Sequence, residues 1–195
     1  LGSAGIAATG LVISGCAANG GIKSIASSAN KRQEVKGKSV VSLAKNPDRR
    51  QATYDSLKPI QSDISKAIGG KQVIVKINAG FPSEEHRIHS TYADQVRGIL
   101  DFLREFYDGN IWISEGVGSS KTGSMMDGYE IYGIIPIPKE YSDIRLVDAN
   151  RTPATRKWVH QFNTSTMPIS IINMYFEADK YVISAARLKT HDTVV

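Results

Sequence analysis

Lys189 and His191 stand two residues apart in Arg187-Leu188-Lys189-Thr190-His191, close to the end of the chain. In an extended backbone, side chains two apart point to the same side, so an ammonium and an imidazole can address one ligand. Such a pair suits three chemistries: binding an anionic group, acid–base work, and a metal ion on the imidazole with the ammonium stabilising charge. His191 is therefore the candidate metal ligand, and the cofactor is otherwise unknown. Glu115, in Ser114-Glu115-Gly116, is the carboxylate that can oppose the pair. Lys189, His191 and Glu115 are accordingly the candidate catalytic residues. The ordinary alternative is a solvated lysine beside a histidine that satisfies loop backbone groups.

Other stretches carry weaker signals. In Glu84-Glu85-His86-Arg87-Ile88-His89 two imidazoles three apart can face one ion on a helical turn. The neighbouring Pro82 and the capping residues that follow read instead as a surface loop, and the spacing is not that of the H-E-x-x-H metalloprotease helix. Gly116-Val117-Gly118-Ser119-Ser120-Lys121-Thr122-Gly123 has the residues of an anion-cradling loop without the P-loop spacing. His160, among aromatic neighbours, reads as a surface-edge residue. No serine sits in a nucleophile elbow. With Cys16 as the only cysteine, no disulfide framework and no iron–sulfur site can be ligated by this chain.

The elements that must position these groups are legible as alternating patterns. Lys38 to Ala44 (KSVVSLA) is rich in β-branched residues and predicts a strand. Leu57, Ile60, Ile64 and Ile68 recur at helical spacing before Gly69-Gly70, and KQVIVKINAG is a nearly continuous apolar run of the kind found inside parallel sheets. Ser90 or Thr91 can cap a following helix, with Asp94 three after Thr91. Tyr92, Val96, Ile99, Leu100, Leu103 and Phe106 form its apolar stripe. GNIWISEG, IRLVDAN, PISIINMYF and DKYVISAARLKTH supply further apolar runs, with a helical stretch at MMDGYEIYG. Strand and helix alternate, so the fold class is α/β with a mostly parallel sheet and helices on both faces. In such sheets ligands gather at the carboxyl ends of the strands. That rule collects Lys76 and Asn78, Glu115 and Gly116, Asp148 and Asn150, and Lys189 to His191. Lys76, Asn78, Gly116 and Thr190 are thus the candidate ligand-binding residues.

In order along the chain, Lys76-Ile77-Asn78, the helix from Thr91 to Phe106, Ser114-Glu115-Gly116, Gly128-Tyr129, Leu146-Val147-Asp148 and Arg187 to His191 resemble the DUF362 family. Leu188-Lys189-Thr190-His191 is the most specific of these elements. The resemblance covers residues 38–195 and implies a domain whose activity is unassigned, with a pocket rather than a named reaction. Two departures matter: the family has Lys-Pro-Asn where this chain has Lys76-Ile77-Asn78, which loosens that loop, and the family pattern continues beyond the threonine–histidine element. The α/β domain, 38–195, is therefore expected to be incomplete at its C-terminal end.

The first fifteen residues carry no charge, and Gly2, Gly5, Gly10 and Gly15 each disfavour a helix by about 1 kcal/mol relative to Ala. The run is shorter than the roughly 20 apolar residues of a membrane span, which leaves the apolar part of an export signal. Its end, Ile13-Ser14-Gly15-Cys16, resembles the lipobox of bacterial lipoproteins, which implies lipidation of Cys16 and a membrane anchor. The leader's Gly, Ala and Thr content resembles signals of the twin-arginine route. Residues 1–15 thus read as an export-signal remnant and 16–37 as a lipidated, flexible tether. Of the net charge of +5, residues 17–50 hold +6, from eight basic and two acidic residues. The excess lies in and just after the tether, so nucleic acid is not an expected partner. A basic tether beside an acylated cysteine suits anionic headgroups. Together these features predict an exported, envelope-bound protein that binds a small anionic ligand, with a metal as an option and enzymatic turnover undecided. A non-catalytic binding or assembly lipoprotein is the alternative.

Overall fold

A computed structural model describes residues 40–118, 124–162, 164–187 and 189. Cys16, Thr190, His191 and the Ser119–Gly123 part of the glycine-rich loop lie outside the described residues. Helices α1 (Arg49–Leu57) and α2 (Gln61–Ile68) come first, joined by a 3₁₀ turn at Lys58–Ile60. They are followed by β1 (Gln72–Ile77), α3 (Ala93–Leu103), β2 (Ile111–Glu115), α4 (Met125–Ile131), α5 (Ile137–Glu140) and β3 (Ile144–Asp148). A hairpin, β4 (Ala154–His160) with β5 (Thr166–Ile172), precedes β6 (Lys180–Ala185).

Strands β3, β2, β1 and β6 form one all-parallel sheet in that order. Alternation along β1 divides its side chains between two faces. Val73, Val75 and Ile77 join the larger core with Ile68 of α2, Ile99 and Phe102 of α3, Tyr129 of α4 and Ile137 of α5. Ile74 turns to the second face and meets Val147, Ala149 and Met174, the last carried by a 3₁₀ turn at Asn173–Tyr175. The α/β reading therefore holds, with a four-stranded parallel sheet. Among the described residues, no helix is long and apolar enough to cross a membrane.

Three local expectations differ from the structure. Val40, Val41 and Leu43 form no strand and lie exposed, because β-branched composition makes a strand only where another strand pairs with it. The helical stripe of Leu57 to Ile68 is split at Lys58-Pro59-Ile60, since proline cannot donate the helical hydrogen bond. Before it stands α1, whose start is marked by Asp48, a side chain that accepts from the Gln51 N–H at 2.9 Å. This helix lies so close to α3 that a Cβ on Gly98 would fall 2.4 Å from the Arg50 carbonyl oxygen. The strand expected in PISIINMYF does not enter the parallel sheet. It pairs antiparallel with β4, from Ala154 opposite Ile172 to His160 opposite Thr166.

Candidate functional site

The order β3-β2-β1-β6 reverses direction at β1: the chain moves from β1 to β2 to β3 and then returns to the other side of β1 as β6. The carboxyl ends of β1 and β6 therefore flank the switch point, the crevice position at which open α/β sheets hold ligands. One threonine ties its two walls together. The Thr91 hydroxyl donates to the Ala185 carbonyl at the end of β6 (2.5 Å) and accepts from the Asn78 N–H after β1 (2.8 Å). The Thr91 N–H in turn donates to the Asn78 carbonyl at 2.8 Å. Thr91 is fully buried, and the helix it was expected to cap begins after Tyr92, with no side-chain cap. Its hydroxyl is used across the crevice instead.

Beside this stitch, Lys76 reaches over to β2. Its Nζ donates to Glu115 Oε2 at 2.6 Å and to the Ile77 carbonyl at 3.2 Å. The carboxylate is 8% exposed and the lysine side chain 38%, so the cationic end of the pair faces solvent. The other carboxylate oxygen accepts from the Ala79 N–H at 3.3 Å. Glu115 is itself held from behind: its N–H donates to the Tyr129 hydroxyl at 3.0 Å, and that hydroxyl donates to the Val147 carbonyl at 2.7 Å. Burial pushes the Tyr129 phenol far above its usual range, so it keeps its proton. Burial also raises the Tyr175 phenol, which shares a 3.0 Å hydrogen bond with Ser114.

Lys76, Asn78 and Glu115 thus converge at the carboxyl edge, where Glu115 opposes Lys76. The half-buried Asn78 side-chain amide has no hydrogen-bond partner among the described residues. Gly116 lies on the same edge, and its lack of a side chain has a local cause: a Cβ there would stand 2.4 Å from Asn150 Oδ1. Lys189 is exposed, past the end of β6. The loop with His86 and His89 forms an exposed 3₁₀ turn, its rings tilted with centroids 6.3 Å apart. Among the described residues, no three His, Cys, Asp or Glu side chains gather to hold a metal. His160 is exposed at the end of β4. A groove of about 460 Å³ lies between the hairpin and Phe176-Glu177, lined by Thr155, Lys157, Ile171 and Asn173. It contains no residue of the sheet's carboxyl edge.

Sequence reasoning passed over Thr91 and Tyr129 as parts of the site, whereas the carboxyl-edge rule had gathered Asn150. Tyr129 was legible as a strand-following Gly-Tyr, whereas nothing local marks a threonine that bridges 94 residues of chain.

An open parallel α/β domain with a lysine–glutamate pair and an unpartnered amide at its switch point is the class of protein defined here. The chain belongs to the DUF362 family, a domain of unknown function, whose family model matches residues 73–194. No curated protein and no solved structure matches it.

Proposed function

We propose that the protein binds a small anionic ligand in the crevice between the carboxyl ends of β1 and β6. The observation that carries this reading is the free donor capacity at the switch point. An ammonium has three N–H donors; Lys76 uses two, and its exposed end leaves the third for a ligand. The Asn78 amide adds donors and an acceptor that no described residue occupies. Glu115 fixes the ammonium in place at 2.6 Å. Thr190 and His191, which lie outside the described residues, belong to the proposal by sequence alone, with His191 as the residue for a metal.

The test is mass spectrometry and elemental analysis of full-length protein purified from its native envelope, beside Lys76→Ala and Asn78→Ala. A small anionic compound present near one per chain in the wild type and reduced about tenfold in each variant is the expected result. Equal content in all three would remove the site from the crevice, and a metal lost only in His191→Ala would add the cofactor.

The sequence Ile13-Ser14-Gly15-Cys16 and the basic segment behind it support the second part of the proposal, that the protein is exported and held at the bacterial cell envelope through acylated Cys16. Cys16→Ser is expected to move the protein from the membrane fraction to the soluble fraction. An unchanged distribution would dismiss the anchor.

A further inference from the structure

At the rim of the crevice two guanidinium groups share one aromatic ring. Arg49 Cζ stands 3.8 Å and Arg187 Cζ 4.9 Å from the centroid of Tyr92. The three residues come from separate elements: Arg49 opens α1, Tyr92 directly follows the Thr91 stitch, and Arg187 lies two residues beyond the end of β6. Arg187 is also pinned by an Nη1 donation to the Ile88 carbonyl at 2.5 Å. Neither arginine has a carboxylate partner among the described residues.

Of the described acidic groups close to Arg49 and Tyr92 in the chain, three are engaged elsewhere. Asp48 caps α1, Glu84 pairs with Arg87 at 3.0 Å, and Asp94 pairs with Arg97 at 3.0 Å; Glu85 makes no ion pair with either arginine. Two cations gathered on one ring, with no counter-charge among the described residues, repel each other. The ring contact positions each guanidinium, and the N–H groups not already used present a fork that matches planar or tetrahedral oxyanions.

We propose that Arg49, Tyr92 and Arg187 form a clamp for a phosphoryl group. A phosphate monoester carries about −1.5 to −2 charges at neutral pH and three acceptor oxygens, enough to engage both guanidiniums, whereas one carboxylate would leave one of them uncompensated. This inference rests on the crevice reading and deepens it: the ligand of the site is phosphorylated, with its phosphate on the clamp and the remainder toward Asn78 and Lys76. The phosphate belongs either to a soluble metabolite or to a lipid headgroup.

The experiment titrates the full-length protein at low ionic strength with inorganic phosphate by calorimetry. In parallel it measures cosedimentation with phosphatidylcholine vesicles with and without phosphatidic acid. Arg49→Ala, Arg187→Ala and Tyr92→Leu are each expected to weaken binding about tenfold, the loss of one charge-assisted contact or of its platform. Arg187→Lys is expected not to restore it, because the ammonium keeps the charge but loses the stack. Thermal melts matching the wild type within a few degrees show that these half-exposed sites leave the fold intact, and Arg187→Lys serves as the readable variant if an alanine form melts early. Phosphate binding that fails in the clamp variants identifies a soluble phosphoryl ligand. Binding seen only with phosphatidic acid, and lost in the same variants, identifies a lipid phosphate; both support the clamp. No binding of either probe, or binding indifferent to Arg49 and Arg187, overturns it. Phosphate binding abolished by Lys76→Ala alone overturns the clamp while leaving the crevice site standing.

Discussion

Thr91→Val is expected to destabilise the protein by about 2–4 kcal/mol, although it keeps the size and branching of the side chain. The reason is the position of the hydroxyl. It satisfies the Asn78 N–H and the Ala185 carbonyl at once, in a fully buried position. Valine leaves both backbone groups in the interior without that partner, and each such group costs about 1–3 kcal/mol. For a domain of this size, 1 kcal/mol moves Tm by about 2–4 °C, so a fall of roughly 4–16 °C is expected. Thr91→Ser keeps the hydroxyl and loses one methyl, which limits its cost to about 1 kcal/mol. Thermal or urea denaturation of the three proteins checks this. If valine and serine prove equally mild, the hydroxyl does not hold the walls of the crevice together.

The contrast between Thr91 and its neighbours shows what a sequence can carry. Apolar runs such as Gln72–Ile77 are local statements about burial on both faces, and β1 forms as that pattern predicts. The stripe through Val96, Ile99, Leu100 and Leu103 likewise fixes α3. The carboxyl-edge rule then gathers Lys76, Asn78 and Glu115 without any knowledge of distances, because parallel register sets Lys76 opposite Ser114 and Glu115 beside Asp148. Thr91 obeys no such local rule. Its residue type and the Asp94 that follows fit a helix cap equally well, and only the return of β6 to the far side of β1 gives its hydroxyl another acceptor.

The same limit accounts for the errors in the strands. Val40 and Val41 have strand composition and no partner, while Thr166–Ile172 has strand composition and takes the partner nearest in sequence, β4, across a short loop. Composition specifies that a segment can pair, not which edge it meets. The clamp of Arg49, Tyr92 and Arg187 was hidden for a related reason. Arg49 lay in the basic stretch read as charge near a tether, and its meeting with Tyr92 depends on α1 packing against α3 through Gly98.

Tyr129→Phe separates the stability of the fold from the geometry of the site. The ring remains and fills the same core volume, but the Glu115 N–H loses its acceptor and the Val147 carbonyl loses its donor. Because burial holds the phenol protonated, this donor is present throughout the physiological pH range, and its removal is expected to cost about 2–4 kcal/mol. The lost contact is to the backbone of the residue whose carboxylate positions Lys76, so bound anionic ligand in the purified protein should fall with it. Tyr141→Phe is the matched control: its hydroxyl donates to Asp101 at 2.7 Å in a half-exposed network with Arg50, away from the carboxyl edge. That change should destabilise by about 1 kcal/mol and leave ligand content unchanged. Equal loss of ligand in both variants would trace the effect to general stability. Loss confined to Tyr129→Phe would show that the phenol acts through Glu115, making Tyr129 a positioning residue of the crevice.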